Sequence, residues 1–236
     1  KRGWLHESSD NYLDLLRLEQ GNTRAVILRA NPGVKVWSAG HSLEELHEDG
    51  HDPLSWIDPL RQLVRELEKF PAPIIAMLEG SVWGGACEVA FACDLLVASP
   101  ESTFAVTPAK LGVPYNPTGL ETFLNAAHLH LVKEMLFTAQ PISAERLERY
   151  GIINRLVPSG ELEATALSLA HTIASNAPLA VAVMKEQLRI LSGTHNLSPG
   201  DFERIQSLRR MAYGSSDYFE GIQAVREHRA PRFMGL

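Results

Sequence analysis

The chain has 236 residues, 45% of them hydrophobic and 21% charged, with 22 basic residues against 28 acidic and a formal net charge of −6. That length buries a sizeable core, and the acidic balance argues against a dedicated nucleic-acid binder, which carries a basic footprint. Two cysteines, Cys87 and Cys93, are too few for a disulfide scaffold or an all-cysteine zinc site, and no apolar run reaches the ~18 residues of a membrane span. What remains is a soluble globular chain, with no nucleic-acid or membrane partner and a cytoplasmic location expected.

Taken in chain order, the spacing of Tyr12, Leu13, Leu15, Leu16 and Leu18 predicts a helix over 9–20, stopped by Gly21-Asn22. Ala25–Ala30 (AVILRA) reads as a buried strand closed by Asn31-Pro32-Gly33. Apolar residues at 57, 60, 63, 64, 67 and 70 predict an amphipathic helix over Ile57–Phe70. Pro73–Leu78 is a second buried strand, Gly85–Ala92 a helix, and Asp94–Ala98 and Thr103–Val106 further strands. After residue 117 the texture becomes helical: Glu121–Thr138, Ser143–Tyr150, Glu161–Ser175, Leu179–Leu191, Asp201–Tyr213 and Asp217–His228. Alternation followed by helices predicts a layered α/β core over 1–176 and a helical region over 177–236, packed on the core or on a neighbouring subunit.

Two strand-to-helix junctions could carry chemistry. One is Val36-Trp37-Ser38-Ala39-Gly40-His41-Ser42-Leu43, the other runs from Gly80 to Glu88. A helix start offers unpaired N–H groups and the positive end of the dipole, which suit an anion or a developing oxyanion. Taken singly, either loop is better explained by glycines that make a tight turn and let the helix approach the sheet.

Three pattern matches carry less. Gly40-His41-Ser42-Leu43-Glu44 begins like the G-x-S-x-G nucleophile elbow but ends in Glu. His47-Glu48-Asp49-Gly50-His51 matches H-E-x-x-H, yet Asp49-Gly50 and Asp52-Pro53 break the helix that zinc binding needs. Cys87 and Cys93 sit among apolar neighbours, as buried small hydrophobes do. No metal site is expected.

The stretch Thr107–Pro117 holds three prolines and one glycine, which fixes a loop and sets Tyr115 at a defined point with its O–H free to donate. The alternative is a tyrosine that caps the core with its hydroxyl in water. Arg204, Arg209, Arg210, Arg226, His228, Arg229 and Arg232 give the tail a basic character, usually that of a solvated helix face.

Together, VWSAGHSL, PIIAMLEGSVWGGACEVAFACDLLVAS, TFAVTPAKLGVPYN and the tail EGIQAVREHRAPRF occur in the order of the crotonase (enoyl-CoA hydratase/isomerase) superfamily. The resemblance covers nearly the whole chain from about residue 10, and within the superfamily these pieces look most like the methylmalonyl-CoA decarboxylase subfamily. It implies a ββα superhelical core, a homotrimer or homohexamer, and an acyl-CoA thioester substrate whose coenzyme A is not a separate cofactor. It places the oxyanion hole on the backbone N–H groups of His41 and Gly85, inside the two junctions singled out above. It further implies that Tyr115 orients the substrate carboxylate, with Thr107 as a second candidate and Glu88 in a family acid/base position. Lys35, Ala39 and Arg229 match positions used along the CoA moiety.

Decarboxylation of a malonyl-type thioester needs no metal, biotin or redox group, because the thioester itself accepts the electrons. Enoyl-CoA hydration, the alternative within the family, resembles a two-carboxylate mechanism. Its second carboxylate position is Pro108 here, which has no proton chemistry. A non-catalytic binding protein of the same fold would have no need of the two intact glycine turns. Two departures stand out: Ser42 where many members have Asp, and His228 where the tail often has Lys. Relatives of this type begin with two more strands before the first helix, so the start at Lys1-Arg2-Gly3-Trp4 resembles a member lacking that hairpin.

Overall fold

The computed structural model describes residues 23–42, 58–192 and 199–233. The helix expected over 9–20 and the H-E-x-x-H match at 47–51 lie outside them.

Among the described residues eight short strands form two sheets, and the first six alternate between them. The first sheet holds β1 (Val26–Arg29), β3 (Ile74–Leu78), β5 (Leu95–Ala98) and β8 (Arg155–Leu156), all parallel and in that spatial order. The second holds β2 (Val36–Ser38), β4 (Ser81–Trp83), β6 (Thr103–Ala105) and β7 (Ile142–Ser143). Its first three strands are parallel, and β7 closes the edge antiparallel to β6. From β1 to β6 each turn of chain thus lays one strand in each sheet, which is the ββα superhelix.

The parallel sheets are buried on both faces, as crossover connections require. All five residues of β3 are buried. Ile75 and Met77 pack with Val97 against Leu162 and Ala166 of one helix, while Ile74, Ala76 and Leu78 turn inward to the main core. Trp37 is itself buried and its indole N–H donates to Met77 O at 3.0 Å, tying the second sheet to the first.

The helices are α1 (Pro59–Lys69), α2 (Gly85–Ala92), α3 (Pro117–Ala126), α4 (Leu129–Thr138), α5 (Ala144–Arg149), α6 (Leu162–Ala174), α7 (Pro178–Ser192), α8 (Pro199–Tyr213) and α9 (Ser216–Arg226). Asp58 caps α1 by accepting from Leu60 N at 2.8 Å, with Pro59 at the first helical position, where its missing N–H costs nothing. Leu60, Leu63, Val64 and Leu67 then line one buried face. α2 is almost wholly buried, so its sequence shows no amphipathic period.

Three expectations need correction. The strands β2, β4, β7 and β8 were not foreseen; each is two or three residues long, too short for alternation to register. The single helix expected over Glu121–Thr138 is two helices, beginning at Pro117 and broken by extended backbone at Ala127 and His128. No Gly or Pro marks that break. The loop at Thr107 contains a 3₁₀ turn, Pro108–Leu111.

The C-terminal helices touch the core. Lys185 of α7 is largely buried and donates to Leu67 O, Ala72 O and Asp94 Oδ2 at 3.1, 3.3 and 2.6 Å, and α9 lies on the 3₁₀ turn. Among the described residues no single helix is long and apolar enough to cross a membrane; the segments Ser159–Ala174 and Pro178–Ser192 reach that length only together, across a 105° bend.

Candidate active site

Because β2, β4 and β6 are neighbours in one parallel sheet, the loops leaving their C-terminal ends emerge side by side. Those loops are Ala39–His41, Gly84–Gly85 and Val106–Thr107. Gly40 has φ +81°, and a Cβ placed on it would lie 2.5 Å from Trp83 O and 2.8 Å from Gly85 N. The Gly40–His41 turn therefore rests directly on the Gly84–Gly85 turn, at a distance only glycine permits. Gly84 N donates to Ala105 O at 2.8 Å, which sets the second turn against β6. Gly85 opens α2, so its N–H has no acceptor within the helix and lies at the positive end of the helix dipole. A Cβ on Gly84 would stand 3.8 Å from Thr107 Oγ1 and 3.9 Å from Ala39 O, which brings Thr107 and Ala39 to the same point.

The His41 side chain fixes its own loop. Nε2 lies 3.3 Å from Asp58 Oδ2 and Nδ1 lies 3.1 Å from Ser42 O. Asp58 is buried and uses its other oxygen to cap α1, so the loop carrying the His41 amide is anchored to a helix end. Asp58→Asn keeps the cap through Oδ1 but turns an NH₂ toward the imidazole. The expected result is a kcat about tenfold lower, the scale of a modest misplacement, with an unchanged melting temperature. Asp58→Ala should lose the cap as well, about 1 kcal/mol of stability. Turnover and thermal denaturation of both variants check this.

One helical turn beyond Gly85, Glu88 is 1% exposed. Tyr115 Oη donates to Glu88 Oε2 at 2.8 Å. The Tyr115 ring is held edge-on to Phe123 at 5.5 Å, which packs in turn on Phe91. Burial pushes the Glu88 carboxyl up to about 7, against a partial opposing pull from the Tyr115 hydrogen bond and the charge of Arg61. Burial also holds the Tyr115 phenol well above its ordinary value, reinforced by the Glu88 charge. Both groups are driven toward their neutral forms. Behind Glu88, a cleft of about 700 Å³ lies between α1, α3 and α7, walled by Arg61, Arg65, Glu68, Glu121 and Lys185. Glu68 is also raised, by burial first and then by the charge of Glu121.

Tyr115 and Glu88 are 27 positions apart, so nothing in the letters pairs them, and nothing there directly marks Asp58 or Gly119 as part of the site. A Cβ on Gly119 would strike the Tyr115 ring and come within 2.7 Å of Glu88 Oε2, so α3 approaches the pair only because that residue is glycine. The signal that was available was Asn116-Pro117, a helix cap and first position that brings α3 onto the loop; Asn116 Oδ1 accepts from Gly119 N at 2.8 Å.

Of the residues assigned to the CoA moiety, Lys35 is exposed and its carbonyl accepts from Ser81 N at 3.0 Å, beside the Gly80 turn. Arg229 lies in an exposed ionic knot. Its guanidinium donates to Glu220 through Nη1 and Nη2 at 2.5 and 2.8 Å, and to Glu227 through Nε at 2.5 Å. Cys87 and Cys93 are fully buried thiols, and burial pushes Cys87 up to about 12. Among the described residues, no cluster of three or more His, Cys, Asp or Glu could hold a metal ion.

This arrangement has known counterparts. The chain is 51% identical over 218 residues to methylmalonyl-CoA decarboxylase of Escherichia coli (strain K12), spanning 92% of this chain and 84% of that protein. It is 33% identical over 210 residues to carnitinyl-CoA dehydratase of Salmonella typhi, spanning 86% and 78%. Its structure matches methylmalonyl-CoA decarboxylase in complex with 2-nitronate-propionyl-CoA with a TM-score of 0.94 and 49% identity, over 97% of this chain and 88% of that one. The family model for enoyl-CoA hydratase/isomerase matches residues 8–235, and the chain belongs to that family.

Proposed function

We propose that this protein is an acyl-CoA decarboxylase that converts methylmalonyl-CoA to propionyl-CoA and CO₂. One observation carries the reading: the Gly40–His41 and Gly84–Gly85 turns meet, and the buried, hydrogen-bonded Tyr115–Glu88 pair lies one helical turn away. The 51% identity to a methylmalonyl-CoA decarboxylase supports the substrate.

Breaking the C2–carboxylate bond leaves an enolate whose charge sits on the thioester oxygen. The His41 and Gly85 N–H groups are assigned to that oxygen, and each preorganised donor of this kind contributes roughly 10²–10³ in rate. The bond must stand perpendicular to the thioester plane so that its electrons enter the carbonyl system. Tyr115 is assigned to hold the carboxylate there. With Glu88 neutral, the carboxylic O–H can donate to Tyr115 Oη, which frees the phenol hydrogen to donate to the substrate. Thr107 Oγ1, beside the Gly84 turn, is a second donor to the same carboxylate. The thioester is the electron sink, so the step needs no separate cofactor.

Lys35 and Ala39, exposed on either side of β2, are assigned to the CoA chain. Arg229 would reach a CoA phosphate only by leaving Glu220 and Glu227. The division at 176 separates the superhelix from helices that suit self-association: α7 exposes Leu179, Val183, Met184, Leu188, Ile190 and Leu191. Such a row fits a homotrimer or homohexamer.

Incubation with methylmalonyl-CoA and, separately, crotonyl-CoA tests the function. CO₂ and propionyl-CoA from the first are expected; rapid hydration of crotonyl-CoA with no CO₂ from methylmalonyl-CoA would overturn the reading. Tyr115→Phe removes one hydrogen bond to a charged group, so kcat/KM for decarboxylation should fall about tenfold to a hundredfold. An unchanged kcat/KM removes Tyr115 from the mechanism.

A further inference from the structure

The loop that carries Thr107 and Tyr115 is fastened from outside by the two last helices, residue by residue. Gly221, in the middle of α9, rests on Leu111: a Cβ there would lie far inside van der Waals contact with the Leu111 carbonyl. Gly112, at φ +71°, rests on α9 in return, where a Cβ would lie 2.8 Å from Asp217 O and 2.9 Å from Tyr218 Cα. Val113 packs on the buried cluster of Tyr213, Tyr218 and Ile222. Tyr213 Oη donates to Pro114 O at 3.3 Å. The next residue is Tyr115.

The other end of the loop is rigidly linked to this contact. Lys110 N donates to Thr107 O at 2.9 Å, Gly112 N to Ala109 O at 3.3 Å and Val113 N to Pro108 O at 3.1 Å, so the segment from Thr107 to Val113 moves as one closed turn. Tyr213 and Tyr218 are nearly inaccessible and stack edge-on at 5.3 Å and 87°, which gives the helices a stiff face to press with. Two backbones in contact through glycines have no side chain to absorb a displacement.

We propose that α8 and α9 form a positioning clamp for the Thr107–Tyr115 loop, with Gly221 and Tyr213 as positioning residues that act on the substrate carboxylate through Thr107 and Tyr115. The proposal rests on the decarboxylase reading for its chemistry, but the clamp is a property of the fold. Gly221→Ala wedges a methyl group between α9 and the Leu111 carbonyl. Tyr213→Phe keeps the ring and removes the hydroxyl that donates to Pro114 O, which guards against a Gly221→Ala chain that fails to fold.

The experiment measures kcat, KM and backbone amide exchange over 107–116 in both variants, with Gln223→Ala on the exposed face of α9 as control. The clamp predicts faster exchange over 107–116 and a kcat tenfold to a hundredfold lower, the effect of a small misplacement at the reacting centre, with KM within threefold of the parent. The control should match the parent. Unchanged exchange in Tyr213→Phe overturns the clamp whatever the substrate proves to be. Faster exchange with unchanged kcat in an active enzyme overturns the positioning role. No turnover of methylmalonyl-CoA by the parent protein counts against the substrate reading, and the exchange measurement then still decides the clamp.

Discussion

Gly40→Ala should lower kcat for decarboxylation by about 10²–10³, the effect of removing one oxyanion donor, while the protein still folds. Two separate costs fall on this substitution. The backbone at φ +81° is unfavourable for any residue with a Cβ, by roughly 1–2 kcal/mol. In addition, the methyl group meets Trp83 O at 2.5 Å and Gly85 N at 2.8 Å, both backbone atoms in the adjoining turn. Neither can rotate away, so the two turns must part, and parting them spoils the geometry of the donor pair. Gly33→Ala separates the two costs: Gly33 also has positive φ, +73°, but its added Cβ meets nothing within 4 Å. That control should lose a similar local stability and keep its kcat. Turnover and thermal denaturation of the two variants decide the matter. A Gly40→Ala enzyme as active as Gly33→Ala would show that the meeting of the turns does not serve catalysis.

The two junctions stand out in the letters as glycine-bearing strand-to-helix turns, which a tight turn alone would explain, and the resemblance gave His41 and Gly85 their roles. The reason they meet was not legible. It lies in β2 and β4, three-residue strands too short to show a period, which pair in parallel with a register shift between Val36 and Ser38 while β1 and β3 pair in the other sheet. The long elements, with apolar runs such as Ile74–Leu78 or the buried face of α1, were read almost to the residue. Tyr115 reads from the letters either as a donor on a proline-fixed loop or as a cap on the core; its bond to Glu88 is not visible there. Glu88 looks like any acidic residue in the first turn of a helix, where it suits the dipole. Only the packing of α3 through Gly119 shows that it is buried against a phenol. The resemblance likewise gave Arg229 the CoA moiety, whereas the fold surrounds it with two glutamates of its own.

That buried carboxyl sets the pH behaviour. Glu88 is raised from 4.5 to about 7, chiefly by burial, so it stays neutral across the acid range and ionises as pH rises through neutrality. Below pH 7 the carboxylic acid donates to Tyr115, and the phenol hydrogen is available to the substrate. Above it the carboxylate takes that hydrogen and adds a negative charge beside the substrate's own. Decarboxylation should therefore lose rate on the basic side, approaching tenfold per pH unit above about 7. Glu88→Gln, whose amide can donate to Tyr115 at any pH, should flatten that limb. Stability moves the same way. Between pH 4.5 and about 7 the folded chain holds a proton that the unfolded chain has released, so the contribution of Glu88 is complete below 4.5 and lost as pH rises through 7. The shift corresponds to a loss on the order of 3 kcal/mol. Glu68, raised in the same direction, titrates in both proteins and cancels in the comparison. The stability of Glu88→Gln relative to the parent should therefore improve by that amount between pH 4.5 and pH 8, read from denaturant titrations at the two pH values. A relative stability independent of pH, or a basic limb that survives the substitution, would assign the titration to another group.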